Sequence, residues 1–147
     1  MTNQEKKLWL MQYRGILDDI DDLIRERKTW KDRAERITAQ ISGMPGGGGD
    51  ERGGEEAILQ IAEISAEIDR QTVAARARRR EIRTCIGRLK DQRLRRLLRL
   101  RYIDGHSFDR IADEMHYSWR WVLKLHGQAL DQLRVKEDME VHIRDVL

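Results

Sequence analysis

Residues 117–126 (YSWRWVLKLH) combine basic and aromatic side chains in a segment predicted to be a helix that begins at Ser118. Its inner side is aliphatic, and its outer side presents Trp119, Arg120, Lys124 and Gln128. Arg120 and Lys124 are one turn apart, which suits guanine edges or phosphates, although simple solvation is the alternative. Trp119 and Trp121 are about 200° apart, so we expect one to face the core or a hinge and the other to be exposed.

A second short helix is predicted just before this segment, from Phe108 to Met115, with Ser107 as its N-cap. Its inward positions are Phe108, Ile111, Ala112 and Met115; those of the Ser118 helix are Val122, Leu125, Ala129 and Leu133. His116 and Tyr117 form the turn between the two helices. Two helices joined by so tight a turn are typical of a helix-turn-helix.

A third helix is expected from residue 92 to 103. Its predicted inward positions are Leu94, Leu97, Leu98, Leu100 and Ile103, and its outward positions are Arg93, Arg95, Arg96, Arg99 and Arg101. Asp104 and Gly105 form the turn that follows, with Gly105 in the left-handed conformation. Gly87 marks a hinge or a close contact just upstream.

The basic residues are concentrated in one stretch. Residues 74–101 contain twelve basic residues and only Glu81 and Asp91 opposing them, within a chain of formal net charge +3. Such a block is a plausible footprint for phosphate, and the alternatives are a solvated helix face, an acidic partner protein or pairing with Asp18, Asp19, Asp21 and Asp22. The candidate phosphate ligands are Arg76, Arg79, Arg80, Arg83, Arg93, Arg96 and Arg99.

The first half of the chain predicts two long helices. Apolar residues recur three and four apart, which is the pattern of helices packed along their length. The first series is Trp9, Tyr13, Ile16, Ile20, Leu23, Arg27, Trp30, Ala34, Ile37 and Ile41; the second is Ala57, Ile61, Ile64, Ile68, Gln71, Ala75, Arg78, Ile82, Cys85 and Leu89. We expect an antiparallel coiled-coil hairpin that either dimerises into a four-helix bundle or packs on the C-terminal domain.

The predicted organisation is all-α, with a first helix over residues 1–41, a glycine-rich loop over 42–54 and a second helix over 55–90. A helix-turn-helix domain over 91–134 and a tail over 135–147, helical or frayed, complete it. The loop lacks the Gly-Lys-Ser/Thr ending of a P-loop and follows no strand, so a flexible connector is expected rather than a nucleotide site.

Composition narrows the function classes. The chain of 147 residues is 39% hydrophobic and 37% charged, which favours one or two small helical domains. No apolar run could span a bilayer and no signal peptide is evident, so we expect a cytoplasmic protein. Cys85 is the single cysteine, and the four histidines lack ligand spacing, so neither a disulfide, a metal site, a cofactor nor an enzyme is predicted.

The segment Leu98-Arg99-Leu100-Arg101-Tyr102-Ile103-Asp104-Gly105-His106-Ser107-Phe108-Asp109-Arg110-Ile111-Ala112 resembles the −35-binding region 4 of bacterial sigma-70 factors. The likeness continues through Tyr117-Ser118, Val122 and Gln128-Ala129-Leu130. With the Met44-Pro45-Gly46-Gly47 loop, the chain resembles sigma-like phage regulators of the ArpU/RinA type and a DUF1492-like prophage family. Arg110 departs from the acidic residue common in such domains, and Trp119 and Trp121 replace polar readers.

The resemblance implies a phage transcription regulator, often of late genes, that binds double-stranded DNA in the nucleoid of a bacterial host. Trp119, Arg120, Trp121, Lys124 and Gln128 would then face the major groove. Ser118 and its backbone amide would meet a phosphate. The alternatives are a small terminase-like DNA-packaging subunit and a module that binds host RNA polymerase without reading DNA.

Overall fold

The computed structural model describes residues 1–43 and 51–136, and every regular element within these ranges is helical. The helices are α1 (Asn3–Gly43), α2 (Glu51–Gly87), α3 (Gln92–Leu98), α4 (Phe108–Met115) and α5 (Trp119–Gln132), with a π-helical segment, Arg99–Ile103, directly after α3. The predicted all-α class is confirmed. None of the helices searched combines the length and the hydropathy that a transmembrane span requires.

The helix ends differ in places from those predicted. Helix α1 continues to Gly43 and α2 already begins at Glu51, so part of the predicted loop is helical, while residues 44–50 lie outside the described part. Packing overrides the low helix propensity of Gly54, whose Cβ position is 3.9 Å from Cγ2 of Ile37. Helix α2 ends at Gly87, where an added Cβ would meet nothing within 4 Å, so the close contact expected there is absent.

The chain divides into two compact units, and both long helices contribute residues to each. One unit comprises residues 16–74. Within it, Arg27 Nη1 donates to Ser65 Oγ at 3.2 Å, and Gly54 lies beside Ile37. Ile37 follows Arg27 on α1, whereas its neighbour Gly54 precedes Ser65 on α2, so the two helices are antiparallel, as predicted.

The predicted apolar seams are the buried sides of the helices in this unit. Ile20 and Ile37 on α1 and Ala57, Ile64 and Ile68 on α2 are buried. The other seam positions of this unit that the structure describes are partly buried. Arg27, the charged interruption in the first seam, is accommodated because its guanidinium reaches the Ser65 hydroxyl.

The other unit comprises residues 1–15 and 75–147, described up to Lys136. Its hydrophobic cluster takes Trp9 and Leu10 from α1, Ile82 and Ile86 from α2, and the inner sides of the shorter helices. This unit is therefore discontinuous in sequence, because it combines the start of α1 with the end of α2 and the shorter helices. The last residues described, Leu133–Lys136, are not helical, and the rest of the predicted tail (137–147) lies outside the described residues.

The start of α1 is tied to the end of α5 by polar contacts. Lys6 Nζ donates to the Leu130 carbonyl at 2.7 Å, and Asn3 Nδ2 donates to Asp131 Oδ1 at 2.6 Å. Carbonyls in the last turn of a helix lack intrahelical partners and carry partial negative charge, so an ammonium group there is stabilising. These contacts hold α5 at its C-terminal end.

Gly105 joins the π-helical segment to α4 with φ at +73°, the left-handed conformation predicted for it. A Cβ at this position would lie 2.6 Å from Cζ of Arg14, whose Nη1 donates to the Ile103 carbonyl at 3.4 Å. The backbone conformation therefore favours glycine, while the Arg14 guanidinium, at the end of a flexible side chain, would have to move to admit a Cβ.

We expect Gly105→Ala to lower the free energy of unfolding by about 1–2 kcal/mol, because alanine is strained at this φ and meets the Arg14 guanidinium. Gly127→Ala is the matched control: Gly127 lies within α5, and an added Cβ there meets nothing within 4 Å. It should raise the free energy of unfolding by up to about 1 kcal/mol. Chemical denaturation of both variants checks this, and equal effects at the two glycines would contradict it.

Candidate nucleic-acid interface

The candidate interface is built on α4, α5 and the turn between them. Ser107 Oγ accepts from the Arg110 amide, and Ser118 Oγ accepts from the Trp121 amide, both at 3.2 Å, so both predicted N-caps are confirmed. His116 takes the left-handed conformation with φ at 57°, and the Tyr117 amide donates to the Ala112 carbonyl at 3.0 Å. This Schellman arrangement ends α4 and sets the direction in which α5 leaves.

The inner and outer sides of α5 are as predicted, with one correction. Val122, Leu125, Ala129 and Leu133 are buried, while Arg120 and Lys124 are exposed and Gln128 is partly exposed. The expectation that one tryptophan faces the core is wrong, because Trp119 and Trp121 are 51% and 36% exposed. Both tryptophans lie in the first turn of α5, before its first buried residue, Val122. The direction in which a side chain leaves the helix therefore does not by itself bury either ring.

Lys124 and Trp121 form one contact on the outer face. The Lys124 ammonium is 5.5 Å from the centroid of the Trp121 ring, within the range of a cation–π interaction. Within the described part of the chain, the Arg120 guanidinium makes neither an ion pair nor a hydrogen bond. Arg120 is therefore available to a ligand without breaking an internal contact.

Arg110 is engaged within α4. Its Nε lies 3.4 Å from Glu114 Oε1, one turn along the helix. The ion pair is exposed and contributes little to stability. It does, however, leave Arg110 a less available ligand than Arg120.

A buried polar contact lies beneath α5. The Tyr102 hydroxyl and His126 Nε2 share a hydrogen bond of 2.7 Å, and the His126 and Phe108 rings pack in a T-shaped arrangement at a centroid distance of 5.1 Å. Arg101 covers the Phe108 ring at 4.3 Å and donates to the His106 carbonyl. One cluster thus joins the π-helical segment, α4 and α5, and it fixes the rotation of α5 about its own axis.

Burial shifts the pKa values of this pair in opposite directions. Desolvation lowers the pKa of His126 to about 4, with smaller contributions from the positive charges of Lys7 and Arg101. Desolvation also raises the pKa of Tyr102 to about 12. Both groups are therefore neutral at physiological pH, so their hydrogen bond buries no charge.

The arginines of the basic stretch fall into two groups, of which the first has internal partners. Arg93, a phosphate candidate, pairs with Asp91 at 3.1 Å, and Asp91 raises the pKa of its guanidinium. Arg95 donates to the Leu89 and Lys90 carbonyls. Arg95 and Arg101, both predicted to point outward, are instead partly buried because they satisfy backbone carbonyls.

The second group consists of exposed arginines whose guanidinium groups have no ion pair or hydrogen bond among residues 1–43 and 51–136. At about 100° per residue, four of them occupy an arc of about 100° on α2. The members of the group that were predicted as phosphate ligands are Arg76, Arg79, Arg80, Arg83, Arg96 and Arg99.

A pocket of about 310 Å³ brings four of these side chains together. Arg79 and Arg83 come from α2, Arg96 from α3 and Arg99 from the π-helical segment. Leu100, Ile103 and Asp104 complete the lining. The arginines were predictable from the local charge. The sequence holds no local signal that these arginines converge or that Asp104 joins them, because the pocket takes residues from α2, α3 and the π-helical segment, which are separate in the chain.

A second cavity, of about 640 Å³, has a mixed lining that includes Cys85, Arg88, Lys90 and Arg134. The Cys85 thiol is buried and donates to the Arg134 carbonyl at 2.9 Å, and burial raises its pKa to about 11. A thiol held protonated in this way is a poor nucleophile and a poor metal ligand. Within the described residues, no group of three or more potential metal ligands was found.

Comparison with known proteins gave one match. A family model described as "Protein of unknown function (DUF1492)" matches residues 38–134. No curated protein and no solved structure matches the chain. The matched region includes α2 to α5, and hence every predicted base-reading and phosphate residue.

We expect the stability of the protein to fall as the pH is lowered from about 6.5 to about 4, because unfolding releases His126 from the environment that lowers its pKa. The unfolded chain binds a proton in this window that the folded chain does not, so the loss reaches roughly 3 kcal/mol. Urea unfolding across the window measures it. His126→Gln should remove this part of the pH dependence, and His116→Asn, at an exposed position, should keep it; identical profiles for all three proteins would refute the assignment.

Proposed function

We propose, from the premise that the chain belongs to the DUF1492 family, that it is a phage- or prophage-type transcription regulator that binds DNA sequence-specifically. The DNA would lie close to a promoter, typically one of late genes, in the cytoplasm of a bacterial host. Helix α5 would read bases, and the arginines of α2, α3 and the π-helical segment would contact the phosphate backbone. The resemblance of residues 98–112 to sigma region 4 supports promoter DNA as the target.

The exposed face of α5 is the observation that carries this proposal. Arg120 and Lys124 are exposed one turn apart, and the two tryptophans flank them. Apart from Asp131 near its end, the helix has no acidic residue. At about 1.5 Å per residue its 14 residues span about 21 Å, and a helix of this kind fits the major groove of B-DNA.

Charge supplies the second part of the argument. Six arginines from the predicted set are exposed without internal partners, so their contacts with phosphate would replace no contact of the folded protein. Phosphate contacts provide affinity and orientation but carry no sequence information, which α5 would supply. Arg93 contributes less, because Asp91 already neutralises it.

A second candidate is a module that docks on RNA polymerase, and the exposed tryptophans favour it. Tryptophan is enriched among the residues that dominate the energy of protein–protein interfaces. Trp119 in particular is half exposed and contacts no cation in the described structure. The two candidates differ in which side chains of the same helix are essential.

We expect Arg120→Ala/Lys124→Ala to weaken binding to a DNA duplex, selected from random sequences with the wild-type chain, by about thirtyfold or more. Each side chain is worth about 1–3 kcal/mol if it contacts a base edge. A mobility shift measures the loss, and circular dichroism should show unchanged helicity. Lys31→Ala/Arg36→Ala removes the same charge from exposed positions of α1 and serves as the control. If both double variants bind like the wild type, α5 does not read DNA.

The tryptophans separate the two candidates. Under the DNA-reading proposal, Trp119→Ala/Trp121→Ala lowers the affinity for the selected duplex by severalfold, because apolar contacts of the rings with thymine methyl groups in the major groove are lost. Pull-down of purified bacterial RNA polymerase should be unaffected. Loss of polymerase binding with DNA affinity intact would establish the docking module instead.

A further inference from the structure

The arginine pocket, lined by Arg79, Arg83, Arg96, Arg99, Leu100, Ile103 and Asp104, has properties that DNA-backbone contact alone does not explain. A duplex backbone needs only an exposed row of cations, and Arg76 and Arg80 on α2 already provide one. The pocket is concave, and its volume of about 310 Å³ is at the lower end of the range for sites that enclose small ligands.

The charges in the pocket are not balanced internally. Four guanidinium groups line it, and within the described residues none of them has a carboxylate or carbonyl partner. Like charges held around one concavity repel one another. Bound anions would relieve this repulsion, and arginine is suited to phosphate because its planar group can donate two parallel hydrogen bonds.

The remaining lining residues indicate more than phosphate. Leu100 and Ile103 are buried in the core at 9% exposure each, and only the edges of their side chains form the apolar part of the pocket lining. Asp104 is exposed, and its carboxylate is not paired with any of the described residues. A carboxylate would repel phosphate, so its presence favours a ligand that also carries hydrogen-bond donors. Phosphate groups, a flat ring and N–H donors occur together in nucleotides.

We propose that the arginine pocket binds a free nucleotide with two or more phosphate groups. The four arginines hold the phosphates, the base touches the exposed edges of Leu100 and Ile103, and Asp104 accepts a hydrogen bond from an N–H group of the base. Arg79, Arg83, Arg96 and Arg99 also belong to the proposed phosphate-contacting set, so a bound nucleotide competes with DNA. The competition rests on the proposed function; the binding of the nucleotide does not.

The test is calorimetric titration of the full chain with GTP, ATP, guanosine and pyrophosphate in magnesium-free buffer. We expect saturable binding of at least one triphosphate, weaker binding of pyrophosphate and none of guanosine. Arg83→Gln/Arg99→Gln should lower the affinity at least about tenfold, because each substitution removes a charge-assisted hydrogen-bond donor. Arg36→Gln/Arg52→Gln removes two exposed arginines elsewhere and should change it less than about twofold, the scatter expected for screened surface charge.

Asp104→Asn distinguishes nucleotide recognition from attraction of any polyanion. The variant should bind pyrophosphate more tightly, since a repulsive charge is lost, while the ratio of the GTP and ATP affinities changes. An unchanged ratio together with equal binding of all phosphorylated probes would overturn the inference. Absence of binding to wild type at millimolar concentrations, or equal loss in both arginine double variants, would overturn it as well.

Binding measurements with the selected DNA duplex separate this inference from the proposed function. If the selected duplex binds and Arg83→Gln/Arg99→Gln weakens it while no free nucleotide binds, the pocket serves only the DNA backbone and the inference falls. If a nucleotide binds in the pocket but no duplex does, the proposed function falls and the pocket assignment stands. Displacement of the duplex by the triphosphate, lost in the pocket variant, supports both.

Discussion

The packing of the inner side of α5 into the hydrophobic cluster is the constraint on which the candidate interface depends. Val122 and Leu125 are completely buried, as are Ile111 of α4 and Leu97 of α3. Since interiors are packed as densely as organic crystals, α5 cannot rotate without opening a cavity. The hydrogen bond between Tyr102 and His126 adds a directional contact to this packing. The outer face of α5 is consequently set by residues that would never touch a ligand.

The same cluster explains how two kinds of arginine arise in one basic stretch. Where a guanidinium lies near a helix end, as Arg95 does beside the Leu89 carbonyl, it satisfies a backbone acceptor and becomes structural. Where the helix surface faces solvent, as at Arg83, no acceptor is near and the charge remains available. Composition alone predicts a phosphate-binding role for both kinds of arginine. Only the packing of α2 against α3 distinguishes the structural arginines from the available ones.

Much of this was predictable because its signals are local. Periodicity predicted both seams, and hydroxyl residues at Ser107 and Ser118 predicted where α4 and α5 begin. The glycine at position 105 predicted the left-handed turn that is found there. The exposure of both tryptophans, the π-helical segment and the convergence of Arg79 with Arg99 were not predicted. Each of these three features depends on which residues from other helices lie nearby in space, and the spacing of residues in a single sequence does not specify those neighbours. Whether α5 reads DNA remains a prediction.

The placement of Trp9 and Leu10 in the cluster has a consequence for folding order. Residues 1–15 belong to the same compact unit as residues 75–136, so its core forms only after a chain segment of about sixty residues has been closed. Contacts so distant in sequence carry a loop-closure entropy that local helices do not, and they slow folding. During synthesis, the first turns of α1 therefore lack their full set of native neighbours until α5 has emerged from the ribosome.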